Sequence, residues 1–213
     1  MAHSGGVYVI NTESRIISGN YETSSSVDTV HWDSEGDMWY GFYGGERRAK
    51  EYRNGNLTGE QTESHLTALT AMTIISEGRI VTGGRDNLVK VFDQEGVLER
   101  SISDFVSYPS KIVTDASGNL IVGCSNGDIF RYNLSDWSKE ETSISSGQSI
   151  ISISFSENGD ILVGTQNGKL HQLDSGTFSE VQSYSSAGRV ILGTFGSSGE
   201  LYIISTFSTS SKI

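Results

Sequence analysis

The chain has 213 residues, 35% of them hydrophobic, with 25 glycines and a single proline; that length allows one or two domains, and the low apolar share suits many short strands joined by polar turns. Fifteen basic residues against 26 acidic ones give a formal net charge of −11, which repels phosphate backbones and anionic lipid and argues against nucleic acid or a membrane surface as partner. The lone Cys124 excludes an internal disulfide framework. Met1 to Tyr8 lacks the basic-then-apolar order of a signal peptide, and no apolar run approaches the ~20 residues that span a bilayer. The expected location is the cytoplasm, or a particle assembled there.

Along the chain, Gly5-Gly6 leads into two predicted strands, Val7–Ile10 and Arg15–Tyr21. One pattern then occurs five times, as EGDMWYG (Glu35–Gly41), EGRIVTG (Glu77–Gly83), SGNLIVG (Ser117–Gly123), NGDILVG (Asn158–Gly164) and SGELYII (Ser198–Ile204). Its anchoring glycines, Gly36, Gly78, Gly118, Gly159 and Gly199, lie 42, 40, 41 and 40 residues apart. That period suits a four-stranded propeller blade. An apolar run precedes each glycine, as in Val27, Val30 and Trp32 or Ile150, Ile153 and Phe155. The glycine predicts a tight two-residue hairpin turn that needs positive φ. A second Gly- and Asn-rich turn leads into a third strand: Asp86-Asn87 into Leu88–Phe92, Asn126-Gly127 into Asp128–Tyr132, and Asn167-Gly168 into Lys169–Leu173. Helical periodicity is absent.

Arg189–Ile204 read as a first and second strand, complementing the third and fourth strands predicted at the N-terminus. The expectation is a single all-β domain over residues 1–213. It is a five-bladed β-propeller of four-stranded antiparallel blades, closed by strands from both termini so that no sheet edge stays open. A ring completed by another chain is the alternative.

Val27–Gly45, Ile112–Gly127 and Ile153–Gly168 resemble the propeller repeats of two-component sensor regulators, and the second copy resembles a WD-repeat. His65 falls where that family places its histidine, Thr82 where it places its strand hydroxyl and Asp86 where it places its turn aspartate; Phe92 replaces the tryptophan. The other copies have Thr23, Phe105, Ser146 and Ser186 at the histidine slot. The resemblance implies ligand or partner binding. His65, Thr82 and Asp86 are read first as a structural hydrogen-bond set tying a loop to a turn, with an acid–base or ligand pair as the alternative.

No pair among His3, His31, His65 and His171 has metal-ligand spacing. Cys124 fills a slot occupied elsewhere by Phe42, Gly84 and Thr165, with no base or positive neighbourhood to activate it. Asp33-Ser34-Glu35-Gly36-Asp37 is the nearest approach to a calcium loop, but it lacks the later glutamate and reads as a solvated turn. No phosphate-binding loop occurs. The expectation is therefore a protein with no cofactor and no enzymatic activity.

Trp32, Trp39, Tyr40, Phe42 and Tyr43 crowd beside Arg47, Arg48 and Lys50. Interfaces favour aromatics and arginine, so Trp39, Tyr43, Arg47 and Arg48 are candidate partner contacts, as is Trp137 in the turn Ser135-Asp136-Trp137. The competing reading places Trp32 and Tyr40 in the core. The function expected is a non-enzymatic protein-interaction scaffold. The alternatives are a structural subunit of a larger assembly such as a virion or tail, with copies of itself or other subunits as partners, and a carbohydrate-binding lectin. Against the lectin, Trp39 becomes Val81, Ile121, Leu162 and Tyr202 in the other copies, so the same aromatic and polar pair does not recur in each blade.

Overall fold

The computed structural model describes residues 6–10, 17–22, 27–33, 35–42, 46–53, 56–144, 147–186, 189–195 and 201–206. Their regular structure is strand throughout, apart from a tight turn at Ser76–Gly78, where Glu77 takes the left-handed φ of 63°. Two compact units divide the chain, Met1–Pro109 and Ser110–Ile213.

In the first unit, β1 (Gly6–Ile10) and β2 (Ile17–Glu22) form a two-stranded antiparallel sheet. Next comes a four-stranded meander of β3 (Val27–Trp32), β4 (Met38–Phe42), β5 (Ala49–Arg53) and β6 (Asn56–Gln61). A second meander holds β7 (Leu69–Ile74), β8 (Ile80–Gly84), β9 (Val89–Phe92) and β10 (Leu98–Ile102). Trp39, Ala49, Leu69, Met72, Ile80 and Phe92 form one buried cluster that joins the two meanders.

The second unit repeats the plan. Its meanders are β11 (Pro109–Thr114), β12 (Leu120–Cys124), β13 (Asp128–Tyr132) and β14 (Lys139–Ser143), then β15 (Ile150–Phe155), β16 (Ile161–Thr165), β17 (Lys169–Leu173) and β18 (Glu180–Ser185). β19 (Arg189–Phe195) and β20 (Leu201–Thr206) pair as a two-stranded sheet. Ile121, Ile129, Ile144, Ile150, Ile161, Val163, Leu173 and Phe178 make the main core.

The repeat motif falls on the second strand of each meander. All five residues of β4, β8, β12 and β16 are buried. Both faces of these strands are covered, as in sheets packed on two sides, so they read as near-continuous apolar runs. Burial therefore does not alternate along them. The fourth strands are the reverse: β10, β14 and β18 are largely exposed.

The anchoring glycines Gly36, Gly78, Gly118 and Gly159 take positive φ of 89°, 69°, 81° and 89°. The turn itself is longer than the two residues expected. In Asp115–Asn119, the Gly118 amide donates to the Asp115 carbonyl and the Asp115 amide to the Asn119 carbonyl. Asp33–Asp37 and Ser156–Asp160 repeat that pair of bonds. This is a type I turn followed by a left-handed glycine, the common three-residue hairpin loop. The leading Asp or Ser stabilises it locally: Asp115 Oδ1 accepts from the Ser117 and Asn119 amides at 2.9 Å each. No helix among the described residues is long and apolar enough to cross a membrane.

Candidate functional site

The loop from β6 into β7 carries His65, the middle of β8 carries Thr82, and the β8–β9 turn carries Asp86. His65 is 1% exposed and Thr82 0%. His65 Nδ1 lies 2.9 Å from Asp86 Oδ1, and His65 Nε2 lies 2.8 Å from Thr82 Oγ1. A carboxylate only accepts, so Nδ1 carries the hydrogen and Nε2 of the neutral ring accepts from the threonine hydroxyl. Burial holds the His65 pKa below its usual value, against the pull of Asp86. Burial alone would raise Asp86, but hydrogen bonds from His65 and the Leu66 amide hold it below the usual carboxylate range. Lys90, 6% exposed, ties the same loop down by donating to the Ser64 carbonyl at 3.1 Å. With both ring nitrogens and the carboxylate engaged, the set is built to hold a loop.

What it holds is a surface. Leu66 follows His65 and is 77% exposed, with its amide donating to Asp86 Oδ2 at 2.8 Å. Arg47, exposed and in a left-handed backbone conformation, donates from its guanidinium to the Leu66 carbonyl at 2.5 Å. Asn87 Nδ2, beside Asp86, donates to the carbonyl of Val106, which is 83% exposed. Exposed Arg85 lies over the half-buried Tyr108 ring, 5.1 Å from its centroid. Two exposed aliphatic tips thus sit among two arginines on rigidly anchored loops.

The remaining predicted contacts are dispersed. Trp39 does not belong to a surface. It is 1% exposed, and its indole Nε1 donates to Asp33 Oδ2 at 3.2 Å, so the ring is core. The competing reading, with Trp32 and Tyr40 both in the core, holds for Tyr40, which is fully buried, and not for Trp32, which is 55% exposed. Arg48 is half-buried and its Nε donates to the Glu46 carbonyl at 3.4 Å. Lys50 pairs with Glu46 at 3.0 Å. Tyr43 lies outside the described residues. Trp137 belongs to the second unit, half-buried at φ 60°, with its amide donating to the Asn133 carbonyl. Cys124 is 1% exposed, and burial pushes its thiol up to about 12; it stays a protonated thiol at neutral pH and is no nucleophile.

Sequence reasoning missed Leu66, Arg85, Val106 and Tyr108. The signal for two of them was present. Leu66 and Val106 share one repeat position, twelve residues before Gly78 and Gly118, where the first and fourth copies carry Ser24 and Gly147.

No protein-family model matches the chain, and no curated protein matches it. Solved structures do. A chain from a crystal structure of the mitotic checkpoint complex superposes on 95% of this chain with a TM-score of 0.79 at 14% identity. The WD40 β-propeller domain of Doa1 superposes on 89% with a TM-score of 0.71 at 16% identity. The fold is that of a WD40 β-propeller. The chain spans 66% and 62% of the lengths of those two chains. In sequence, the His–Thr–Asp combination occurs in the second copy only, because the other copies carry Thr23, Phe105, Ser146 and Ser186 at the histidine position.

Proposed function

We propose that the propeller is a protein-interaction scaffold whose first unit docks an acidic segment with apolar side chains on the face carrying Arg47, Leu66, Arg85 and Val106. The carrying observation is the pair Leu66 and Val106, 77% and 83% exposed, on loops fixed by hydrogen bonds rather than left free. Large exposed aliphatics on rigid backbone lose little entropy on binding, and arginines beside them favour a partner of opposite charge. The net charge of −11 makes local arginines the natural anchor for an acidic ligand on an otherwise repelling surface.

Panning a random peptide display library against the intact chain tests this. Enriched peptides should combine Asp or Glu with aliphatic or aromatic residues, and R47E/R85E should abolish their capture while leaving the thermal midpoint in place. Enrichment without acidic residues, or equal binding to R47E/R85E, would reject the proposed face.

The same reading includes one closed ring over residues 1–213, with β1–β2 and β19–β20 as halves of a fifth blade. The five anchors at 40- to 42-residue spacing support it, as does the need of a two-stranded sheet for further pairing. Light scattering should then give a monomer near 23.1 kDa, with slow hydrogen exchange at the Leu201–Thr206 amides. A defined oligomer would instead favour a subunit of a larger assembly.

A further inference from the structure

Glu51 is the anomaly of the first unit. It sits mid-strand in β5, paired across the ladder with Trp39, and is 5% exposed. Its Oε2 is buried with no hydrogen-bond partner. An ionised carboxylate oxygen left bare in the interior is costly unless something cationic or a donor reaches it. Asp37, 8% exposed, and Asp33 are its neighbours. One carboxylate oxygen from each of the three lies within 4.8 Å of the others. A cavity of about 290 Å³ opens onto this cluster, and Glu35 and Glu95 also line it. The one cation in that lining is Arg53. Its Nε pairs with Asp37 at 2.6 Å, while its Nη2 stands 3.6 Å from Glu51 Oε1 and 3.8 Å from Glu35. With half its side chain in solvent, Arg53 only partly offsets five carboxylates.

We propose that Asp33, Asp37 and Glu51 form a binding site for a hard divalent cation of calcium size. Calcium takes oxygen ligands at about 2.3–2.6 Å, so two oxygens on opposite sides of one ion stand about 5 Å apart, which matches the carboxylate spacing here. The bare Glu51 oxygen becomes a ligand, the cavity admits the waters that complete the shell, and Arg53 swings outward as the ion arrives. The site joins a hairpin turn to the middle of a strand, so occupancy would lock the β3–β4 turn against β5.

Trp39 supplies the readout, because its indole is hydrogen-bonded to Asp33. Terbium, a luminescent stand-in for calcium, would be titrated into the intact chain with excitation in the indole band. The expected result is saturable emission at one ion per chain that excess calcium competes away. E51Q, which keeps the shape and removes the charge, should lose it. R53Q, which removes the competing cation, should bind roughly tenfold tighter. Circular dichroism would establish that both variants remain folded. If emission is unsaturable, survives E51Q, or is unchanged in affinity in R53Q, the site does not exist. The R53Q arm predicts a gain, so it stands even if E51Q unfolds.

Discussion

The blade β7–β10 and the blade β15–β18 close the same turn in different ways. In the first, the β8–β9 turn is held by Asp86, which reaches back 21 residues to His65 and 20 to the Leu66 amide. In the second, Asn167 accepts from Thr165 Oγ1 at 2.6 Å, and Thr165 Oγ1 in turn accepts from the Lys169 amide at 3.2 Å. All those bonds fall within four residues. Backbone geometry is shared: Asn87 donates to the Gly84 carbonyl as Gly168 donates to that of Thr165. A local bond set shapes a turn. A long-range set also fixes the incoming loop, and that loop is the one presenting Leu66. The costlier device stands where a rigid surface is displayed.

Breaking the long-range set should have the largest effect. His65→Ala leaves the Asp86 carboxylate and the Thr82 hydroxyl buried without their partner, an expected loss of roughly 2–4 kcal/mol in urea unfolding. The counterpart in the other blade, Asn167→Ala, removes one local bond and should cost about 1 kcal/mol. Equal losses would remove the distinction between the two blades.

A steric test comes next. A Cβ at Gly84 would lie 2.3 Å from His65 Nδ1 and 2.5 Å from Asp86 Oδ1. The equivalent positions carry Cys124 and Thr165 without difficulty, because no histidine is there. Gly84→Ala should therefore cost about 1–3 kcal/mol by overpacking. In the His65→Ala background the same change should be much cheaper, and a double-mutant cycle reads that coupling directly. Additive effects would mean that the histidine is not what excludes a side chain.

Much of this was visible in the sequence, and the misses have physical causes. The resemblance of the second copy to a WD-repeat put His65, Thr82 and Asp86 in that family's slots, and the 40-residue register showed that the other copies carry Thr23, Phe105, Ser146 and Ser186 at the histidine position. The same register could not sort Trp32 from Trp39. Both faces of β4 are covered, so strand parity carries no inside-outside signal there, while the edge of β3 leaves Trp32 in solvent. Glu51 was invisible for a related reason. A calcium loop was sought within a dozen consecutive residues, whereas the third carboxylate arrives from the next strand through the Trp39–Glu51 pairing. Leu66 and Val106 look like ordinary apolar residues, and only the anchoring of their loops makes their exposure informative.

The smallest expected effect is a pH dependence carried by the long-range blade. His65 is held below its ordinary value of 6.5 by burial. The unfolded chain therefore takes up a proton at a pH where the folded chain does not, and stability falls as pH drops through 6.5 toward the folded value. The sign follows from the buried ring being neutral: Asp86 and Glu63 favour its charging, Lys90 opposes it, and desolvation outweighs them. His31 contributes the same sign, since burial lowers it despite a backbone hydrogen bond at Met72 that raises it. Asp86, held below 3.8, adds a further loss only in stronger acid. The thermal midpoint should thus be flat above pH 7 and decline as pH falls below 6.5. His65→Gln should make that decline shallower while Asn167→Ala leaves its slope unchanged. If His65→Gln leaves the slope intact, His31 carries the titration, and the pH sensitivity belongs to β3 rather than to the loop that presents Leu66.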